Sequence, residues 1–290
     1  MSCCCGWRRT MNGKVDGAGN GRRWQKPNNR MSTMEQQVQQ QQQIQQAVAR
    51  VLAAYESGTQ FEAGEGPKTV QQAYAIQDGV ARHLWPAERT HCWKVGSPNR
   101  DTEPYSAPIP PQKVYDSGES LNGADFHMIG IEAELAFRVT QALPVRAQAY
   151  NGQEVRAALG ELCVTLELVD TRLREWQQTS ALWRLADNQI SGGLVVGSGI
   201  EDWQDRDLAL QPVQLTVNGE VLADKSGGHP LGDPTMLLTW AVNHLVARNQ
   251  GLQPGDLITT GSWTGMKFIE PCADIRAVFP GIGGVALSIA

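Results

Sequence analysis

Between Gly130 and Val139 the chain alternates without a break: Ile131, Ala133, Leu135, Phe137 and Val139 are interleaved with Gly130, Glu132, Glu134, Ala136 and Arg138. A period of two predicts a strand with one face in a core. Apolar runs or the same alternation predict further strands at 162–169, 194–197, 213–217, 220–222, 257–262, 275–279 and 285–289. Asn218-Gly219, between two of them, is the signature of a type I′ hairpin. The N-terminal part follows helical spacing instead. Val38, Ile44, Val48, Val51, Leu52 and Tyr55 mark one helix up to Gly58, and Ala73, Ile76, Val80 and Leu84 mark a second from Thr69 to Pro86. A third helix opens at Asp233-Pro234 with Leu237, Trp240, Ala241 and Leu245 as its stripe, and a short one is expected near 154–159. Residues 98–123 hold Pro98, Pro104, Pro108, Pro110 and Pro111 and read as a long loop able to act as a lid. Residues 1–33 have no apolar periodicity and read as a disordered extension, with Met31 or Met34 as the working start. Residues 34–92 then make a small helical cap, and 93–290 the main domain, in an α+β chain that is mostly β.

Polar residues on the predicted strands change this picture. Glu132 and Glu134 point to one side of their strand, with roots about 7 Å apart. Glutamates at alternate strand positions are usually a solvated outer face. Glu167 argues otherwise, because it sits inside Leu166-Glu167-Leu168-Val169, where an uncompensated charge is expensive. A cation shared by the three carboxylates would remove both penalties. Lys94, in Trp93-Lys94-Val95-Gly96, can be an ordinary snorkelling lysine. Arg172 can receive a carboxylate through its planar fork or pair with Asp170 or Asp187, and both readings stand at this point.

The totals exclude several classes. The chain has 290 residues and 41% hydrophobic content, enough for a sizeable core. A formal charge of −5 argues against a nucleic-acid partner. No apolar run approaches the roughly 20 residues needed to cross a bilayer. Cys3, Cys4 and Cys5 are consecutive and Cys92, Cys163 and Cys272 scattered, so no disulfide framework emerges and a reducing cytoplasm is expected. Gly281-Ile282-Gly283-Gly284 has no helix after it, and Ser262 lacks a GxSxG elbow, which sets aside a dinucleotide site and a serine nucleophile.

Three segments carry a resemblance: Glu132-Ala133-Glu134-Leu135-Ala136-Phe137, then Leu166-Glu167-Leu168-Val169-Asp170-Thr171-Arg172, then Ala186-Asp187-Asn188-Gln189 with Gly192-Gly193 following. In this order, from about Lys94 to the C-terminus, the chain resembles the fumarylacetoacetate hydrolase superfamily, and within it the 2-keto-4-pentenoate hydratase and 4-oxalocrotonate decarboxylase branch. The resemblance implies a rolled mixed sheet and a Mg²⁺ or Mn²⁺ ion held by Glu132, Glu134 and Glu167. It also implies Lys94 on the substrate's oxo group, with Arg172, Asp187, Asn188, Thr260, Gly261 and Ser262 around the substrate. The implied reaction is addition of water to a 2-hydroxy-2,4-dienoate in aromatic catabolism. The alternatives are decarboxylation of a 2-oxo-3-enedioate, hydrolysis of an acylpyruvate, or a non-catalytic partner subunit. A homo-oligomer, with a related decarboxylase or aldolase as partner, is the implied assembly. Two departures matter. Ser106-Ala107-Pro108-Ile109-Pro110 stands where hydratases of the branch carry an acidic-aromatic-Gly element, which leaves the water-activating residue open. The Tyr-x-x-His-x-x-Glu arrangement of the C–C hydrolases is absent, which counts against hydrolysis.

Overall fold

The computed structural model describes residues 33–290, so the extension expected over 1–33 lies outside the described residues except for Thr33. The chain opens with α1 (Thr33–Ser57), β1 (Phe61–Glu62), α2 (Val70–Leu84), β2 (Cys92–Gly96), β3 (Tyr105–Pro108), β4 (Val114–Asp116) and β5 (Ser120–Leu121). The central stretch holds β6 (Ile129–Val139), α3 (Gly152–Ala157), β7 (Leu159–Val169), β8 (Leu173–Arg174), α4 (Ala181–Ala186) and β9 (Ser191–Ile200). After it come β10 (Pro212–Val217), β11 (Glu220–Ser226), α5 (Thr235–Ala247), β12 (Leu257–Ser262), β13 (Lys267–Ile269), β14 (Ala273–Phe279) and β15 (Gly283–Ile289). Contacts divide the chain after Val38, and the packing described below belongs to residues 39–290.

Two sheets carry the β structure. One runs β3-β2-β12-β6-β7-β9-β4, with β13 also on β6, and the other runs β11-β10-β14-β15-β5. The first is mixed: β6 lies antiparallel to both β7 and β12, whereas β2 is parallel to β12 and β4 to β9. Alternation on β6 does what its period requires. Ile131, Ala133, Leu135 and Phe137 enter one core with Ile275, Ala277 and Phe279 of β14, Val285 and Leu287 of β15, and Leu237, Ala241 and Leu245 of α5. The glutamates are left on the opposite face. A second cluster joins Val48 and Val51 of α1 to Ala73, Ile76 and Val80 of α2 and to Trp183 and Leu185 of α4. Gln77, fully buried on α2, fixes that contact by donating to the Leu185 carbonyl at 2.6 Å.

Local chemistry explains the ends of several elements. Thr69 caps α2 by accepting from Gln72 N, and Asn151 and Glu154 form a reciprocal capping box on α3. Asn218 and Gly219 turn the β10–β11 hairpin with φ of 51° and 81°, both in the left-handed region that a type I′ turn needs. The expectation of a long loop at 98–123 is corrected: β3, β4 and β5 lie within it. Each is short and ends a sheet, β3 and β4 the first and β5 the second. An edge strand tolerates proline because one side of its backbone needs no partner, so a proline-rich segment can still pair.

Candidate functional site

Register builds the site. On the β6–β7 ladder Glu132 faces Glu167, and on the β12–β6 ladder Ser262 faces Glu134. Oxygens of Glu132, Glu134 and Glu167 all lie within 4.8 Å of one another. Glu134 is 2% exposed and Glu167 1%, while Glu132 is partly open. Thr259 Oγ1 and Gly261 N, the latter at 3.1 Å, both donate to Glu134 Oε2. Gly261 aims that N–H with φ of 96°, a conformation that strains any side chain. Lys94 Nζ donates to Glu167 Oε1 and, at 3.2 Å, to the Gln189 carbonyl. β12 and β6 lie between the strands of Lys94 and Glu167. On a flat sheet, spacings of about 4.8 Å would put their roots at least about 14 Å apart. The pair therefore depends on the curl of the sheet, which converges side chains on its concave face.

Crowding sets the electrostatics. Burial, then the Glu167 charge, pushes Glu132 up to about 7 against the pull of Lys94. Burial, then Glu167 and Glu132, holds Glu134 well above the carboxylate range, and burial raises Glu167 despite Lys94. Burial alone would lower Lys94, but Glu167, followed by Tyr105, Glu132 and Glu134, outweighs it and keeps the ammonium charged. With all three carboxylates ionised, one ammonium would leave two negative charges unmatched. An oxygen-lined cluster with that deficit fits a hard divalent cation. A pH dependence follows. Carboxyl groups whose folded-state pKa is raised stabilise the fold fully below about 4.5, and that contribution is lost as pH rises through about 7. Metal-free protein should therefore lose about 2–3 kcal/mol, or several degrees of Tm, between pH 5 and pH 8 from Glu132 alone. Saturating Mg²⁺ should remove most of the loss. Melting curves across that range check it, and Glu132→Gln should flatten the metal-free profile; an unchanged slope in that variant would rule out this origin.

The cluster lies at a cavity of about 620 Å³, also lined by Thr260, Gly261 and Ser262 from the end of β12. The Thr260 hydroxyl turns inward to the Leu135 carbonyl at 2.8 Å. Ser262 Oγ sits 3.5 Å from Thr264 Oγ1. The structure thus brings Lys94, Glu132, Glu134, Glu167, Thr260, Gly261 and Ser262 to one cleft. Sequence reading missed Tyr105, Gln189 and His229, which line it too, as well as the cations Arg184 and Lys225. His229 donates from Nε2 to the Thr260 carbonyl at 2.7 Å and accepts the Leu231 N–H at Nδ1, which fixes a neutral tautomer that burial also favours.

Arg172, Asp187 and Asn188, expected around the substrate, do not line this cleft. Arg172 Nε donates to Asp187 Oδ1 at 2.6 Å, and Arg172 N and Thr171 Oγ1 donate to Oδ2 at 3.0 and 2.7 Å. The guanidinium also takes the carbonyls of Asp187 and Ser191 at 2.9 and 3.0 Å. Those two carbonyls bracket Asn188, Gln189 and Ile190, whose φ values of 50°, 52° and 54° make three left-handed non-glycine residues in a row. Each costs roughly 1–2 kcal/mol, so the turn needs a clamp. Arg172 and Asp187 provide it, and the turn they hold carries the Gln189 carbonyl to Lys94.

The chain matches the fumarylacetoacetate hydrolase C-terminal family over residues 81–290 and belongs to that family. It is 28% identical over 172 residues to a 2-keto-4-pentenoate hydratase of Burkholderia vietnamiensis, covering 59% of this chain and 64% of that protein. It is 30% identical over 156 residues to a 4-oxalocrotonate decarboxylase of Pseudomonas putida, covering 54% of this chain and 58% of that one. The match thus spans less than two thirds of either relative. The fold is shared with 4-oxalocrotonate decarboxylase from Pseudomonas putida G7 complexed with magnesium and adipate, at a TM-score of 0.76 and 21% identity over 90% of this chain and all of that one. The same enzyme complexed with calcium and acetate superposes with a TM-score of 0.75. No helix of the described residues is long and apolar enough to cross a membrane.

Proposed function

We propose that this protein is a divalent-cation-dependent hydratase that adds water to a 2-hydroxy-2,4-dienoate of the 2-keto-4-pentenoate type and yields a 4-hydroxy-2-oxo acid. The observation that carries the reading is the Glu132, Glu134 and Glu167 cluster with Lys94 beside a cavity large enough for a small acid. Hydratases among the relatives support it, as do solved structures of this fold complexed with magnesium or calcium. A Mg²⁺ or Mn²⁺ ion held by the three glutamates would polarise the substrate's 2-oxo group. Lys94 has two protons directed to Glu167 and Gln189, so the third is free to meet the oxygen on which charge develops. Lys94→Ala should lower kcat by about 10²–10³ with little change in KM, as for loss of a donor used in the transition state. Steady-state kinetics test this, and a raised KM at unchanged kcat would reduce Lys94 to ground-state binding.

Decarboxylation of a 2-oxo-3-enedioate is the second reading. Arg184 and Lys225 on the cleft favour it, since either could take a second carboxylate. A panel of a 2-hydroxypentadienoate, a 2-oxo-3-hexenedioate and an acylpyruvate, followed by NMR with Mg²⁺ present, separates the reactions. Formation of 4-hydroxy-2-oxopentanoate is expected. Release of CO₂ would move the assignment to the decarboxylase, and metal binding without turnover of any compound would point to a non-catalytic subunit.

A further inference from the structure

Most polar side chains at the cleft are already engaged. Lys94, His229 and Thr260 are engaged as described. Ser97 Oγ donates to the carbonyls of Asn99 and Thr102, and Thr102 Oγ1 donates to Asn99 Oδ1. Lys225 reaches the Thr264 carbonyl at 3.2 Å. Tyr105 lines the same cavity, yet its hydroxyl makes no hydrogen bond among the described residues. Register places it. Tyr105 pairs with Gly96, and Ala107 with Lys94, across β2 and β3. Gly96 and Lys94 are two apart, so the phenol stands on the face of the sheet that carries the Lys94 ammonium. It also leans across β2. A Cβ on Gly96 would fall 2.8 Å from Tyr105 Oη and 3.0 Å from Cζ, so glycine is what lets the ring lie there. Burial raises its pKa to about 12, so the group stays a neutral donor and acceptor.

We propose that Tyr105 is a catalytic residue that relays a proton between water and the carbon chain of the substrate, an inference that rests on the hydratase reading. After the dienol has taken a proton at C5, the phenol gives its proton to C3 of the 2-oxo-3-enoate. The water oxygen bonds to C4, and a water proton replaces the one that left Oη. The C3=C4 π bond and one water O–H bond break, C3–H and C4–O bonds form, and the phenol is regenerated without a redox change.

Tyr105→Phe keeps the ring over Gly96 and removes only the hydroxyl. Loss of such a group should lower kcat by about 10²-fold or more while KM changes by less than about threefold. Mg²⁺ affinity should be unchanged. Binding supplies a readout independent of turnover. With Mg²⁺ present, calorimetry should show 4-hydroxy-2-oxopentanoate binding the variant about 3- to 10-fold more weakly than wild type, the loss of one hydrogen bond. The affinity for 2-oxopentanoate, which lacks the C4 hydroxyl, should be unchanged. Wild-type kinetics in the variant, or equal weakening of both ligands, overturns the assignment of Tyr105 and leaves the hydratase reading standing. Failure of wild type to bind either acid overturns the hydratase reading, and the Tyr105 assignment with it.

Discussion

Glu167→Gln is expected to weaken Mg²⁺ or Mn²⁺ binding by more than about 10²-fold and to remove nearly all turnover, with partial recovery at high metal. Loss of a ligand's hydrogen-bond partner alone typically costs about 10–100-fold in metal affinity, and here a ligand charge itself is lost. The shape of the site barely changes, because the amide oxygen can still accept from Lys94, which reaches Glu167 Oε1 in the wild type. Metal-free stability should hardly move. The variant loses an ion pair with Lys94 but also relieves repulsion among Glu132, Glu134 and Glu167. Metal titrations with melting curves, with and without chelator, test both halves. A variant that binds metal as wild type does contradicts the ligand role. One that melts far earlier both with and without chelator would make Glu167 a structural ion-pair partner instead.

Asp187→Asn should cost about 3–5 kcal/mol, because it leaves the buried Arg172 guanidinium without its counter-charge. For a chain of this size that is a fall in Tm of about 10 °C. The clamp on residues 188–190 loosens at the same time, so turnover measured well below Tm should drop as the Gln189 carbonyl leaves Lys94. Thermal melts and kinetics on one preparation separate the effects. A Tm within about 2 °C of wild type would deny the pair its structural weight. Full turnover in a destabilised variant would confine the pair to stability.

How legible was this in the sequence? The long strands β6 and β7 were legible because a face buried against the second sheet forces alternation or an apolar run. Glu167 stood out for the same reason, as a charge amid Leu166, Leu168 and Val169. Edge strands carry no such constraint: β3 is masked by its prolines, and β4 and β5, at three and two residues, are too short to show a pattern. Tyr105 was hidden with β3, although Gly96 two residues after Lys94 was a trace of its ring. The partner of Arg172 stood open between contacts that residue type alone does not separate, and the fold resolves it as Asp187. The left-handed turn had no glycine to announce it; Asn188 starts it, and Arg172 holds it from a distance in the chain.

The central claim is that Glu132, Glu134 and Glu167 jointly hold one divalent cation, and anomalous diffraction from Mn²⁺-soaked crystals tests it most directly. The account predicts one strong peak in the cleft beside Lys94, bonded to a carboxylate oxygen from each of the three glutamates. A peak that excludes any of the three, or none in the cleft at saturating Mn²⁺, would contradict it.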